Sequence, residues 1–445
     1  MTTHSESFSI NDVIDSGRVN PQQILVIVLC LIFNMLDGFD ITAMAVTANA
    51  VGIEMQIAED KLGLVFSFSL AGMMLGAMFL ASFSDVFGRR RLVIICLWVI
   101  GFSVLATAYV SSLAELIALR FISGLGAGAM LASQATLASE YSPNKYRALA
   151  VAAVTAGYPL GAMMTGLVAG HIVPDFGWRG MFLLGGVVTL AMAVLAHVLL
   201  PESLQFLCEK RPKNSLLKVN KILSRFSMAA VNQLPTIDKD ASTMAEPGQN
   251  SVVSNMVKLL AQQYRRQTLI LWSSFFMCVC SMYFLMSWTP KLMVNAGYSS
   301  QIGNYAFSLF NFGGVIGIFL LGTLATRWML TTVVCVFSVS AFVLMLLFAI
   351  SPANSTLLLA IIFLIGVTLQ GGFTGLYATA AKLYPTNIRS TGVGWAIGLG
   401  RLGAVFGPAI AGYMIASNVT MSMSFMVFAV PMLISGLLAY RLHVR

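Results

Sequence analysis

Two acidic residues, Asp37 and Asp40, lie three positions apart within the long apolar run from Ile24 to Val51. In a helix, residues at i and i+3 fall on nearly the same face, so both carboxyl groups point the same way. Ionisable groups inside an apolar span are costly and usually mark an ion or substrate pathway. A low dielectric favours the protonated carboxyl, and a second acid nearby favours it further. The pair therefore predicts a proton-coupling site with either acid as the carrier, and a static ion pair between helices is the alternative.

All seventeen Asp and Glu residues precede position 247, so the second half of the chain contains no acid. Any carboxylate that carries a proton across an apolar region must therefore lie in the first half. Glu140, at the end of the fourth apolar run, is the third candidate for proton coupling.

Two arginines, Arg120 and Arg401, also lie within apolar runs. A guanidinium group stays charged and presents a planar fork of donors that matches a carboxylate. Arg401 belongs to the acid-free half, which predicts that it binds the carboxylate of an anionic substrate. Arg120 has acids in its own half. It either assists substrate binding, pairs with one of the three candidate acids until that acid is protonated, or forms a permanent ion pair.

The composition is that of an integral membrane protein, with 58% hydrophobic and 10% charged residues and a mean hydropathy of +0.84. Soluble proteins carry about 25% charged residues, and a membrane-spanning helix needs about 20 mostly apolar residues. Twelve runs are long enough, at residues 22–51, 61–82, 90–110, 112–140, 147–172, 179–200, 267–294, 301–324, 328–350, 353–383, 389–416 and 421–440. The predicted fold is therefore all-α, with twelve transmembrane helices.

The net charge of +9 follows the predicted topology. With the amino terminus inside, twenty-one of the 26 Lys and Arg residues face the cytoplasm and three face the opposite side. Positive residues are enriched in cytoplasmic loops of membrane proteins, so the basic excess indicates topology. We expect both termini in the cytoplasm, the first helix as the insertion signal, and no nucleic-acid partner.

The spans fall into two halves of six. We predict a cytoplasmic segment at 1–21, an amino-terminal bundle at 22–200, a cytoplasmic linker at 201–266, a carboxy-terminal bundle at 267–440 and a cytoplasmic tail at 441–445. Part of the linker is interpreted as an amphipathic helix lying on anionic lipid. Gly124 and Pro143 have the same spacing as Gly366 and Pro385. Such repetition is typical of transporters that rock around a midplane site, so we expect two pseudo-symmetric six-helix bundles.

The loop at residues 81–91 resembles the G-x-L-x-D-R-x-G-R-R motif of the major facilitator superfamily. Asp85, Gly88 and Arg89 match the motif, whereas its first Gly, its Leu and the basic residue after its Asp are replaced by Ala81, Phe83 and Val86. The resemblance implies a gate in which Gly88 forms a tight turn and Asp85 caps or pairs with a neighbouring helix end. Arg89 belongs to the same gate.

The segment Asp37-Gly38-Phe39-Asp40 resembles the D-G-x-D signature of the aromatic acid:H⁺ symporters in that superfamily, and residues 383–392 and 400–408 resemble the same family. The resemblance implies import of an aromatic carboxylate, such as benzoate, a hydroxybenzoate, protocatechuate or vanillate, together with H⁺. It implies a multi-pass protein of the bacterial inner membrane that functions as a monomer. An aromatic substrate also needs a stacking surface, for which the candidates are the aromatic residues in spans expected near the cavity: Phe33, Phe39, Tyr158, Tyr283, Trp288, Tyr377 and Trp395.

Two other functions remain open: proton symport of another organic anion, such as muconate or an aliphatic dicarboxylate, and non-transporting sensing of aromatic acids. The sequence contains no nucleotide motif, no metal-ligand cluster and no nucleophile–base arrangement. We therefore expect no cofactor, no metal and no enzymatic reaction.

Overall fold

The computed structural model describes residues 14, 20–226, 230–231, 234, 259–352, 354–384 and 386–442, with the backbone alone at 85, 148 and 386–391. Most of the predicted amino-terminal segment at 1–21, most of the linker between 227 and 258, and residues 443–445 of the tail lie outside the described residues. Among those described, the regular structure is helical and no strand occurs.

The helices of the first half are α1 (Pro21–Glu54), α2 (Glu59–Leu75), α3 (Ser84–Phe87), α4 (Arg89–Thr107), α5 (Leu113–Glu140) and α6 (Asn144–Leu199). A π-helical turn (Gly76–Leu80) and a 3₁₀ turn (Ala81–Phe83) extend α2. The linker contains α7 (Leu204–Lys210) and α8 (Ser215–Arg225). The second half consists of α9 (Arg265–Asn295), α10 (Ser300–Leu324), α11 (Leu330–Ile350), α12 (Ser355–Leu383), α13 (Thr386–Ala416) and α14 (Met421–Tyr440).

Eleven helices in the described part of the chain are long and apolar enough to cross a membrane. The longest, α6, has 56 residues, whereas a bilayer core of about 30 Å takes about 20. Its backbone leaves helical geometry at Gly177, where φ is 66°. Gly177 therefore divides α6 into two spans, at the boundary expected between spans five and six. Counting them separately accounts for twelve crossings, and the predicted all-α membrane fold is confirmed.

The same helix pairings occur in both halves. In the first half α1 packs on α6 and α2 on α5, and in the second α9 packs on α13 and α10 on α12. Gly124 lies against the backbone of Ser69 in α2, and its predicted counterpart Gly366 lies against the backbone of Phe310 in α10. A side chain at either glycine would overlap those atoms, so small residues allow the close approach. The repeated spacing in the sequence thus reflects two bundles built on one plan.

The linker helices pack on the amino-terminal bundle. Val219 and Leu223 on α8 are fully buried, and the ring of Phe226 lies 5.2 Å from that of Tyr141 at the end of α5. The Asn20 side chain donates a hydrogen bond of 2.6 Å to the carbonyl oxygen of Phe226. The interpretation of this amphipathic segment as a helix on lipid is therefore wrong for α8, because its apolar face contacts protein.

The two bundles meet at one end of the molecule and separate at the other. We call the end at which α6 joins the linker the linker end, and the opposite one the far end. At the far end, Ser67 of α2 donates a 2.6 Å hydrogen bond to the Val405 carbonyl of α13. Near the linker end, an opening of about 720 Å³ lies between Ala152 of α6 and the end of α10 at Phe319 and Arg327. The structure is closed at the far end and open at the linker end.

Candidate functional site

Asp40 and Arg120 form a buried ion pair inside the amino-terminal bundle. One guanidinium nitrogen of Arg120 lies 2.7 Å from Oδ1 of Asp40 and also donates to the Asp40 carbonyl oxygen at 3.1 Å. Arg120 is 0% exposed and Asp40 is 2% exposed, and the guanidinium lies 5.1 Å from the ring centre of Phe182. Arg120 was a candidate substrate ligand, but the structure places its guanidinium in this buried ion pair with Asp40, which was one of the alternatives.

Asp37 occupies a different environment from Asp40. It is also 2% exposed, and its Oδ2 accepts a hydrogen bond of 3.3 Å from the amide of Gln134 on α5. Its Oδ1 has no hydrogen-bond partner among the described residues, and no cation in that part of the chain lies within 4 Å of the carboxyl. A buried carboxylate without a cation is costly. The two acids therefore differ: Asp40 has a counter-ion and Asp37 has only an amide.

Gly38, between the two acids, lets α1 approach α6 closely. A side chain at this position would overlap the carbonyl oxygen of Tyr158. The close contact sets the height of Tyr158 beside Asp37 and directs its ring toward the carboxy-terminal bundle, where it lines the same cleft as Tyr283. Gly38 thus lets Asp37 lie within electrostatic range of Tyr158.

Arg401, in the middle of α13, reaches across the interface. It donates a hydrogen bond of 3.2 Å to the carbonyl oxygen of Met73 in α2. The hydroxyl groups of Tyr158, Tyr283 and Tyr377 lie within electrostatic range of its guanidinium. No carboxylate of the described residues lies within 4 Å of Arg401. The positive charge of Arg401 is therefore stabilised by a backbone carbonyl and by tyrosine hydroxyls, with no described carboxylate as a counter-ion. The guanidinium can thus bind an anion.

A narrow cleft lies between the bundles beside Tyr158 and Tyr283, with room for little more than a water molecule (about 10 Å³). Its walls come from α1, α2, α6 and α9, and they carry Thr42, Phe66, Ser69, Tyr158, Tyr283 and Met286, among others. Such a mixture of apolar side chains with a few hydroxyls is typical of small-molecule sites.

The predicted aromatic surface is only partly assembled at this interface. Tyr377 packs edge-on against Phe275, with ring centres 5.3 Å apart, on the Arg401 side. Trp395 lies 6.3 Å from Trp272 on the neighbouring helix. Phe33, in contrast, is 0% exposed in the hydrophobic core of the amino-terminal bundle. The prediction that Phe33 stacks on the substrate is therefore corrected, because its side chain packs in the bundle core and does not line the cleft.

Glu140 belongs to a separate polar cluster at the linker end. It forms an ion pair with Arg89 and accepts a hydrogen bond from the hydroxyl of Ser203. Arg89 also donates to Ser203 at 2.6 Å. Glu140 lies six residues beyond Gln134, about 9 Å further along α5. The structure therefore separates Glu140 from the Asp37–Asp40 pair and joins it to Arg89, the predicted gating residue.

The predicted turn at Gly88 separates α3 from α4. Its φ is 100° and its ψ is 146°, a backbone conformation open essentially to glycine alone. The carboxylate of Glu202 faces this glycine and accepts a 2.9 Å hydrogen bond from the backbone N–H of Arg90. Asp85 lies on α3, and its side chain is outside the described part of the structure.

A Gly88→Ala variant is expected to destabilise the linker-end cluster by about 1–3 kcal/mol, because alanine is strained at this φ and its Cβ would lie 2.5 Å from Glu202. The measurement is thermal unfolding of the purified protein in detergent. Gly322→Ala is the matched control, since Cβ there meets nothing within 4 Å. Equal melting curves for both variants would contradict this account of the turn.

An ion pair closes the far end between the bundles. The Lys291 ammonium group at the end of α9 lies 3.4 Å from the Glu59 carboxylate at the start of α2, and the Lys291 side chain is 6% exposed. Next to it, the Phe66 and Trp288 rings pack edge to face with centres 5.3 Å apart. The pairing of Lys291 with Glu59 was not predicted from the sequence, because it depends on how the two halves dock.

A Lys291→Gln variant is expected to shift the population toward the state open at the far end by about threefold to tenfold, because a part-buried cross-bundle attraction is lost. The measurement is the distance between spin labels at Ile53→Cys and Gln301→Cys, both exposed in the native structure. Lys61→Gln is the control, since its 3.7 Å pair with Asp60 lies within one helix. An unchanged distance distribution in Lys291→Gln would contradict the role of the pair.

Gln134 is the main site residue that sequence reasoning missed. It lies fourteen positions after Arg120 on α5, close to four full helical turns, so both residues share one face. A polar residue on the face of a buried arginine was the signal that would have identified it.

The sequence matches the family model of the Major Facilitator Superfamily over residues 28–396 and 271–445. The chain belongs to the Major Facilitator Superfamily. The superfamily resemblance carried by Gly88 and Arg89 is thereby confirmed, and the chain is a multi-pass membrane protein of a transporter family.

Curated relatives over most of the chain are transporters of aromatic acids by name. The 4-hydroxybenzoate transporter PcaK of Acinetobacter baylyi is 33% identical, with 96% of this chain and 93% of that protein covered. A gallate transporter of Pseudomonas putida is 30% identical (95% and 92% covered), and a benzoate transport protein of A. baylyi is 29% identical (96% and 91%). The finer resemblance to aromatic acid transporters agrees with these relatives.

Solved structures agree on the fold. The inward open conformation of the xylose transporter XylE from E. coli superposes with a TM-score of 0.73, at 14% identity, covering 94% of this chain and 96% of that one. A bacterial homolog of the human lysosomal transporter Spinster, inward-facing and unoccupied, gives 0.69 at 14% identity, covering 94% and 96%. At this identity the likeness concerns the architecture alone.

Proposed function

We propose that this chain is a symporter that imports monocyclic aromatic carboxylates together with protons. The observation that carries the proposal is Arg401, a permanent cation at the bundle interface whose described polar partner is a backbone carbonyl. A carboxylate is the natural ligand of such a guanidinium. The substrates named for the relatives, 4-hydroxybenzoate, gallate and benzoate, all combine a carboxylate with an aromatic ring.

Asp37 is the proposed proton carrier. It lies near the interface beside Tyr158 and has Gln134 as its described hydrogen-bond partner, so its negative charge is poorly compensated. In the proposed cycle a proton neutralises Asp37, the substrate carboxylate binds Arg401, and the loaded carrier turns toward the inside. Coupling follows because a carrier with only one of the two ligands would expose a bare charge to low dielectric while it turns.

We propose that the linker end faces the cytoplasm of a bacterial cell and that the far end faces outward across the inner membrane. The support is the Lys and Arg distribution, which is concentrated at the linker end. The structure is then an inward-open carrier, with the Lys291–Glu59 pair closing its outer side. Each chain contains a complete cleft, so the monomer is the proposed functional unit.

The test is uptake into proteoliposomes. Labelled benzoate and 4-hydroxybenzoate should accumulate when the outside is acidic, and accumulation should collapse with the pH gradient. Preferential competition by muconate or an aliphatic dicarboxylate would favour the other-anion function. Saturable binding without flux would favour a sensor. Neither binding nor flux of an aromatic acid would overturn the proposal.

A further inference from the structure

The contact between the bundles at the far end buries a cation and an aromatic ring of the carboxy-terminal bundle side by side. Lys291 and Trp288 lie three residues apart on α9, so they share one face and are about 4.5 Å apart along the helix axis. Trp288 is 0% exposed and Lys291 is 5% exposed. Lys291 meets the amino-terminal bundle at Glu59, and Trp288 meets it at Phe66. Opening of the far end would therefore uncover both side chains together.

Lys291 has no acid within its own bundle. All Asp and Glu residues precede position 247, so the carboxy-terminal bundle at 267–440 contains no carboxylate side chain. The ammonium group lies 3.4 Å from Glu59 at the start of α2, and 3.3 Å from where a Cβ would stand at Gly52 in the last turn of α1. The carboxyl end of a helix attracts a cation. Both stabilising groups belong to the opposite bundle, so Lys291 loses them when the bundles separate.

The other described lysine and arginine side chains at the far end keep their partners in such a movement. Arg179 pairs with Glu54, and both belong to the amino-terminal bundle. Lys61 lies 3.7 Å from its neighbour Asp60 on α2. Among these cations, Lys291 is the one whose acid lies across the interface. An uncompensated positive charge at the mouth of a cleft attracts anions and raises their rate of association.

Trp288 keeps its position when Phe66 withdraws. Its indole N–H donates a hydrogen bond of 3.0 Å to the carbonyl oxygen of Pro408 on α13, which belongs to the same bundle. The ring of Phe66, whose centre lies 5.3 Å away, belongs to α2 in the other bundle. Separation of the bundles therefore leaves an oriented indole ring beside the Lys291 ammonium. Aromatic rings pack favourably on such a surface, either offset-stacked or edge to face.

We propose that Lys291 and Trp288 form an outer recruitment site, which binds the aromatic carboxylate while the far end is open and before the substrate reaches Arg401. The ammonium group of Lys291 binds the carboxylate and the indole of Trp288 contacts the ring. The inference rests on the proposed import of aromatic carboxylates and adds a second binding site to it. Glu59 and the substrate are then alternate partners of one ammonium group, so closure of the far end returns Lys291 to Glu59 and releases the substrate inward.

The experiment measures initial uptake of labelled benzoate or 4-hydroxybenzoate, whichever the wild type takes up better, into right-side-out membrane vesicles at a fixed pH gradient. Lys291→Gln is compared with Glu59→Gln. Both break the same ion pair and should shift the spin-label distances alike, but only Lys291→Gln removes the cation. Lys291→Gln should raise the KM for entry about threefold to tenfold. Glu59→Gln, and Lys291→Arg, which keeps the charge, should stay within about twofold of the wild-type KM.

A second matched pair tests the ring. Trp288→Leu and Phe66→Leu both remove the edge-to-face contact, but only Trp288→Leu removes the ring that stays on the carboxy-terminal bundle. Trp288→Leu should raise the same KM about twofold to tenfold, whereas Phe66→Leu should leave it within about twofold. Rates are normalised to the folded protein in each preparation, measured by size-exclusion chromatography.

An equal KM in Lys291→Gln and Glu59→Gln would mean that Lys291 acts only by closing the far end, and would overturn the inference. A KM as high in Lys291→Arg as in Lys291→Gln, or equal KM values in Trp288→Leu and Phe66→Leu, would also overturn it. Each of these results leaves aromatic acid transport intact. Uptake of neither acid by the wild type would instead overturn the proposed function.

Discussion

An Arg401→Gln variant is expected to lose about 100-fold or more in uptake of aromatic carboxylates while remaining folded. The substrate carboxylate would lose charge-assisted hydrogen bonds worth about 1.5–3 kcal/mol each, and none of the residues that line the cleft is a cation that could replace them. Folding should be preserved because the described polar contact of Arg401 is a single hydrogen bond to Met73. Arg401→Lys keeps the charge but not the fork, so its uptake should be intermediate. Uptake and ligand-induced thermal stabilisation are the measurements.

Arg120→Gln is the informative comparison. Arg120 is fully buried and pairs with Asp40, so its removal leaves an uncompensated acid in the amino-terminal bundle at a cost of about 3–5 kcal/mol. That variant should lose folded protein, whereas Arg401→Gln should lose transport alone. Wild-type uptake by Arg401→Gln, or a comparable loss of folded protein in both variants, would contradict the assignment of Arg401 to the substrate.

The Asp37→Asn variant is expected to uncouple transport from the pH gradient. Asparagine keeps the shape of the side chain and can still bond with Gln134, but it cannot take up or release a proton. Exchange of labelled substrate across the membrane should persist within about threefold of the wild type, whereas accumulation driven by an acid exterior should be lost. The measurement compares exchange with gradient-driven uptake in the same vesicles.

Asp40→Asn should behave differently because Asp40 is the counter-ion of Arg120. Its removal leaves a buried guanidinium unpaired, so we expect a less stable protein with lower activity in both assays. Gradient-driven accumulation that survives in Asp37→Asn but vanishes in a well-folded Asp40→Asn would reverse the roles of the two acids.

Much of the architecture could be predicted from the sequence. The apolar runs locate the helices because a bilayer admits few other structures, and the Gly124 and Gly366 spacings indicated the repeat that both bundles show. The candidate site was only partly predictable. Arg401 followed from the absence of acids in its half, but the choice between Asp37 and Asp40 depends on which of them faces Arg120. That is a matter of a few tens of degrees of helix rotation, which composition does not encode.

Contacts between the halves were the least predictable part. The Tyr158 and Tyr283 hydroxyls, like the charged groups of Glu59 and Lys291, come together only when the two bundles dock. Phe33 shows the same difficulty. An aromatic residue in an apolar helix can pack in the hydrophobic core or line a ligand site, and the structure places Phe33 in the core. In each case the missing information was the orientation of one helix toward the other bundle.

The hydrogen bond from Arg401 to the Met73 carbonyl oxygen has an evolutionary consequence. Its acceptor belongs to the main chain, so no substitution of the side chain at position 73 removes it. Side chains that line the cleft can therefore change during evolution to suit a new substrate, while the hydrogen bond that holds Arg401 is kept. Substrate preference can therefore change through side chains of α2, while the position of Arg401 in the empty carrier depends on a main-chain atom of the same helix.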